Sequence, residues 1–108
     1  MEHYTDLHEV KYFKPIRGLK AKIVNTNNQT CAFWKIKEGT VLPAHQHIHK
    51  QISIVTKGVL ELTIDKEIIV MKKGMMAIIP SQSLHSARAM SDVELTDIFD
   101  PIREGFLT

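Results

Sequence analysis

What the sequence is short of narrows its class first. Cys31 is the only cysteine in 108 residues, so no intrachain disulfide can staple the fold. It lies in the apolar run Cys31-Ala32-Phe33-Trp34, which reads as a buried structural thiol rather than an activated nucleophile. Neither charge dominates: 14 Lys and Arg stand against 12 Asp and Glu, a net +2. The basic residues, among them Lys35, Lys37, Lys57, Lys66, Lys72 and Lys73, are scattered, which argues against nucleic acid as a partner. No apolar run approaches the roughly 18 residues of a membrane span. The start, Met1-Glu2-His3-Tyr4-Thr5-Asp6, has no basic segment leading into an apolar one. A cytoplasmic protein with no membrane partner is expected.

Helical periodicity is also nearly absent, because most segments are interrupted within about nine residues. Short strand-like runs take its place. They cover 19–24, 30–37, 51–56, 59–64, 67–71, 75–79, 85–90 and 93–99. Asn25-Thr26-Asn27-Asn28 marks a turn after the first, and Asp65-Lys66 joins two runs as a hairpin. Residues 102–107 read as a short turn or a tail packed on the rest. No internal repeat or linker divides the chain, so residues 1–108 are expected to form one all-β domain, a sandwich or barrel. A domain this small commonly gains stability by pairing, and a homodimer is the expectation.

Four of the six histidines fall in two places: His45, His47 and His49 in Pro43-Ala44-His45-Gln46-His47-Ile48-His49-Lys50-Gln51, and His85 in Pro80-Ser81-Gln82-Ser83-Leu84-His85. Residues of equal parity share a face of an extended strand. A strand through 45–51 would therefore turn His45, His47, His49 and Gln51 toward one interior. Imidazole nitrogens suit Zn, Fe, Ni and Cu, and an amide oxygen can complete such a set as a neutral ligand.

The flanking spacing is more specific than the histidines alone. Gly39, His45-x-His47, Gln51 and Gly58 form one block over 39–58; Gly74, Pro80 and His85 open a second over 74–89. These blocks resemble the two motifs of the cupin superfamily. The resemblance implies a single-domain cupin β-barrel (a jelly roll, or double-stranded β-helix). It also implies that His45, His47, Gln51 and His85 converge on one divalent metal, with Ni, Zn, Fe and Mn as candidates. The sequence departs from the pattern at three places. Gln51 replaces the usual Glu, Gln82 stands where a Gly is usual, and Ala89 where an Asn often closes the second motif. The latter two point to an altered turn before His85. His49 is not used by the pattern; it either orients a ligand or lies at the surface, and the surface reading is the simpler.

Three neutral imidazoles and a neutral amide leave the charge of a divalent ion uncompensated, which favours Lewis-acid chemistry on an oxygen-rich anion. The C-terminal run over 95–107, Leu95-Thr96-Asp97-Ile98-Phe99-Asp100-Pro101-Ile102-Arg103-Glu104-Gly105-Phe106-Leu107, is similar to that of one cupin subgroup. These are the KdgF-like pectin-degradation proteins, which also carry His-x-His-x-His-x-Gln. The resemblance implies linearisation of 4,5-unsaturated uronate monosaccharides released from pectin or alginate. It assigns Asp97 as general acid/base, Arg103 as the grip on the substrate carboxylate and Phe99 as a pocket wall. Asp97 and Phe99 share a strand face by parity. Two other readings fit the same residues: a metal-dependent dioxygenase on a small oxygenated substrate, and a non-enzymatic sugar- or metal-binding module.

Overall fold

The computed structural model describes residues 3–106. Within them the chain forms β1 (Phe13–Ile16), β2 (Leu19–Asn25), β3 (Thr30–Ile36), β4 (Val41–His45), β5 (Lys50–Lys57), β6 (Val59–Ile64), β7 (Glu67–Lys72), β8 (Met76–Ile79), β9 (His85–Ala89) and β10 (Val93–Asp100). Single 3-10 turns lie at Leu7–Glu9 and Glu104–Phe106. One sheet has the order β1-β2-β3-β10-β5-β8 and the other β4-β9-β6-β7. All their pairings are antiparallel. From β3 onward the chain passes repeatedly from one sheet to the other, which is the jelly-roll architecture the sequence leads one to expect.

Alternation builds the core. Along β10, Val93, Leu95, Asp97 and Phe99 are buried while the residues between them are more open. On β3, Thr30, Ala32, Trp34 and Ile36 do the same. These inner faces meet Leu60, Leu62, Met71 and Ala89 of the smaller sheet in one apolar cluster. Each large side chain buried there contributes about 1.5–3 kcal/mol. The strand register arranges the inner face of the larger sheet in rows. Ala21, Trp34, Leu95 and Val55 form one apolar row. Asn25, Thr30, Phe99, Gln51 and Ile79 form another. Between them runs Ile23-Ala32-Asp97-Ser53-Ala77. Its small Ala32, Ser53 and Ala77 flank a single carboxyl.

The turns explain the motif spacing in part. Gly58, between β5 and β6, has φ +83°, and a Cβ there would collide with the Asp92 carbonyl oxygen. Only glycine fits that close approach. Gln82 also adopts a left-handed conformation, φ 67°. The turn before His85 thus keeps a glycine-like shape without a glycine.

Three expectations need correction. The strands at 13–16 and 41–45 were not anticipated, because Pro15 and Pro43 interrupt the pattern; both strands lie at sheet edges, where proline costs no ladder bond. The single strand through 45–51 is broken, since 46–49 lie in no strand. Its inside-outside alternation nevertheless persists: His45, His47 and His49 are half-buried and Gln46, Ile48 and Lys50 exposed. Cys31 is only half-buried, because β3 turns Thr30 and Ala32 inward and Cys31 to the outer face. Leu107, the last residue of the C-terminal run, lies outside the described residues, as do Met1 and Glu2. Among the described residues no helix is long and apolar enough to cross a membrane.

Candidate metal centre

Two strand ends and one bend assemble the histidines. His45 closes β4 and His85 opens β9, and the two stand opposite each other in the antiparallel pair. His47 reaches them from the bend between β4 and β5. The bend is fastened to the turn before β9, where Gln82 N–H donates to the His47 carbonyl at 2.8 Å and Ser81 Oγ to the Ile48 carbonyl at 2.6 Å. One ring nitrogen from each of His45, His47 and His85 lies within 4.8 Å of the others.

The hydrogen bonds select the tautomers. His45 Nδ1 lies 2.9 Å from the Pro43 carbonyl, and His85 Nδ1 lies 2.8 Å from the Ser83 carbonyl. A carbonyl can only accept, so both Nδ1 atoms carry the proton, and in the neutral ring Nε2 is the atom with the lone pair. His85 Nε2 is buried with no protein partner among the described residues. A buried lone pair facing two further imidazoles, with the His45 and His85 rings each oriented through Nδ1, is what a bound cation satisfies. The residues therefore fit a divalent metal ion. Burial, reinforced by the Arg103 guanidinium and by His85 and His49, lowers the pKa of His47 to about 4. Burial is also the main cause lowering His85. Both rings are neutral at pH 7, as metal ligation requires.

A hydrogen-bonded chain leads away from the cluster. Gln51 Oε1 lies 3.2 Å from His47 Nε2. Gln51 Nε2 donates to Ser53 Oγ at 3.0 Å, which fixes the amide with its oxygen toward the histidines. Ser53 Oγ in turn donates to Asp97 Oδ1 at 2.6 Å. Gln51, Ser53 and Asp97 are all buried. Desolvation raises the Asp97 pKa to about 6, although hydrogen bonds from Ser53, Gln51 and Trp34 and the charge of Arg103 oppose the shift.

Phe99 lies one inward position beyond Asp97, and the Arg103 guanidinium sits over its ring, 4.9 Å from the centroid. Burial lowers the Arg103 pKa, and Asp97 opposes that shift. A cavity of about 430 Å³ connects His45, His85, Gln51, Asp97 and Arg103, with Trp34 and Leu42 among its apolar walls. A larger groove of about 760 Å³ abuts it at Pro15, Ile16, Leu19 and Ile36, but lysines and Arg17 line it and no histidine enters. The smaller cavity holds the convergent polar groups, which volume alone would not reveal.

All seven residues singled out in the sequence thus gather at this cavity or beside it. His45, His47 and His85 form the cluster, Gln51 touches it, Asp97 ends the hydrogen-bonded chain from it, Phe99 packs edge-on against His47 at 5.7 Å between centroids, and Arg103 lies over Phe99. Sequence reasoning missed Ser53, although its parity with Gln51 in the 51–56 run placed it on the same face. Of the two readings left open for His49, the surface one does not hold: the ring is half-buried, packs edge-on against His47 at 5.2 Å between centroids, and its Nε2 lies 3.1 Å from the Ile102 carbonyl.

Comparisons with known proteins agree with this fold. Residues 32–99 match the family model described as the cupin domain. An RmlC-like cupin from Shewanella frigidimarina is 25% identical, with a TM-score of 0.91, over 98% of this chain and 96% of that one. KdgF from Halomonas sp. is 28% identical, with a TM-score of 0.90, over 97% and 98%. A salicylate 1,2-dioxygenase variant from Pseudoaminobacter salicylatoxidans is 19% identical, with a TM-score of 0.76, over 80% of this chain and 28% of that one, and shares the fold. No curated protein matches.

Proposed function

The chain belongs to the cupin family, and on that premise we propose that it opens the ring of 4,5-unsaturated uronate monosaccharides in a metal-dependent reaction. The observation that carries this reading is the chain His47-Gln51-Ser53-Asp97, which sets a buried carboxyl of raised pKa beside an all-neutral ligand set in one cavity with Arg103. Likeness to KdgF over nearly the full length of both chains supports it.

His45, His47, His85 and Gln51 would hold the ion, with Ni, Zn, Fe and Mn as candidates. When bound, it supplies Lewis-acid polarisation of a substrate oxygen, undiminished by any ligand charge. Arg103 binds the substrate carboxylate through its planar fork, and Phe99 supports the guanidinium and closes the wall. Asp97, as carboxylate, takes the proton of the anomeric hydroxyl. The C1–O5 bond then breaks as the C1 carbonyl forms, leaving an enolate at C5. Asp97 returns the proton to C4 as the C5 carbonyl forms. The net change is an isomerisation, with no oxidant or reductant. Ser53 holds Asp97 Oδ1 and keeps the carboxyl aimed into the cavity.

A two-fold dimer is part of the same proposal. The outer face of the larger sheet carries an apolar row, Cys31-Ile98-Ile52-Ile78, next to Met76, and Ile78 and Met76 are 67% and 55% exposed. A second copy would cover such a patch, and sedimentation at dilute concentration tests it.

The activity is tested by loading metal-free protein with Ni, Zn, Fe or Mn and adding lyase-generated unsaturated galacturonate. Loss of the double-bond absorbance should outrun the spontaneous rate, with no oxygen consumed. No acceleration with any ion overturns the proposal, and oxygen uptake during turnover replaces it with dioxygenation.

A further inference from the structure

His49 sits in the bend that carries His47, but its ring serves another element. Its Nε2 lies 3.1 Å from the Ile102 carbonyl, which can only accept, so Nε2 carries the proton and donates it. The neighbouring Arg103 N–H donates to Thr30 Oγ1 at 2.8 Å. Those two groups belong to one peptide unit, the one joining Ile102 to Arg103. Its oxygen is held from the bend and its N–H from β3. The β3 anchor is firm: Thr30 is fully buried, and its hydroxyl donates to Asn25 Oδ1. The His49 ring is itself fixed edge-on between His47 and Phe99, at centroid distances of 5.2 and 6.3 Å.

Holding both polar atoms of a peptide fixes its plane, and the plane sets the direction in which the next side chain leaves the backbone. We propose that His49 is a positioning residue for Arg103, clamping the tail after β10 so that the guanidinium lies over Phe99 at the cavity. The bend between β4 and β5 would then serve both ends of a substrate. His47 belongs to the histidine cluster and His49, two residues on, aims the group that receives the carboxylate. The inference rests on the reading of Arg103 as the carboxylate grip. The clamp itself is a geometric statement that holds for the free protein.

The test uses Ni-loaded wild type, His49→Ala, Thr30→Val, Arg103→Ala and the double variant His49→Ala/Arg103→Ala. Carboxylate binding common to ground and transition states appears in KM, so His49→Ala should raise KM by roughly tenfold with kcat within about twofold. Nickel content should stay at the wild-type level. The double variant should be no worse than Arg103→Ala alone, because the two residues act as one unit. His49→Gln, which retains an N–H donor, should recover part of the loss. Hydrogen exchange gives a readout independent of turnover: the Arg103 amide should exchange faster in both His49→Ala and Thr30→Val. Thr30→Val leaves the bend intact, so it tests the clamp even where His49→Ala unfolds. A wild-type KM together with unchanged Arg103 exchange overturns the inference, as does loss of nickel from His49→Ala. If wild type fails to turn over the uronate, the enzymatic reading falls and the exchange measurement alone decides the clamp.

Discussion

At the histidine end of the cavity, His47 gives up its proton far more readily than a free imidazole, down to about pH 4. At the strand end Asp97 keeps its proton longer than a free carboxyl, up to about pH 6. Burial is the largest cause of both shifts, and it acts in opposite senses because it penalises whichever form is charged. The local partners differ. Arg103 pushes His47 the same way burial does, whereas Arg103 and the hydrogen bonds of Ser53, Gln51 and Trp34 pull Asp97 back toward its ordinary value. One end is therefore neutral well below pH 7 and ready for a cation. The other crosses between acid and base close to neutrality, which proton transfer requires. Gln51 joins the two ends without adding charge to either.

The largest test separates the ends by removing one. Asp97→Asn should lower kcat by about 10²- to 10⁴-fold, the usual contribution of a positioned acid-base group. Bound metal should be unchanged, because Asp97 contributes no atom to the histidine cluster and its hydrogen-bonded path there runs through Ser53 and Gln51. In the wild type, kcat/KM should fall as pH drops below about 6, where Asp97 takes up its proton, and this limb should vanish in the variant. An Asp97→Asn protein with wild-type turnover would refute the acid-base role. One that also lost its metal would show that the two ends are not separable.

A smaller effect lies in stability. For metal-free protein, His47 has a lowered folded pKa, so its contribution is present above pH 6.5 and is lost as pH falls toward about 4. Asp97 has a raised folded pKa, so its contribution is present below pH 3.8 and is lost as pH rises toward about 6. Between pH 4 and 6 the two slopes oppose each other. Asp97→Asn should uncover the histidine slope, with about one more proton taken up on unfolding near pH 5 than in wild type. Urea midpoints across that range measure it. Parallel pH dependences for the two proteins would mean that Asp97 is not held protonated by the fold.

The two ends also differed in how far the sequence revealed them. The candidate ligands were legible because they fall in two locally spaced blocks, Gly39-His45-His47-Gln51 and Gly74-Pro80-His85, and alternation survives the bend even though the strand does not. The fold class followed from short runs between turn residues, except where Pro15 and Pro43 disguised the edge strands. The strand end depends on register. Only the pairing of β5 with β10 places Ser53 opposite Asp97 and Gln51 opposite Phe99, and no spacing along the chain encodes that. The His49 contact with Ile102 spans 53 positions and involves a backbone carbonyl, so no side-chain pattern could announce it.

The smallest effect tests the histidine end alone, at the turn where the sequence departs from the family pattern. Gln82 has φ 67°, is exposed, and uses its backbone N–H to hold the His47 carbonyl. A left-handed non-glycine residue costs about 1–2 kcal/mol. Glycine relieves that cost but loses about 0.5–1 kcal/mol of backbone entropy on folding. Gln82→Gly should therefore stabilise the protein by about 0.5–1 kcal/mol. The N–H bond to His47 needs no side chain, so metal affinity and the Asp97 pH profile should be unchanged. A stabilised variant with weaker metal binding would mean that the tension in this turn is part of how His47 is aimed. An unstabilised one would mean that the Gln82 side chain supplies a contact matching the backbone cost.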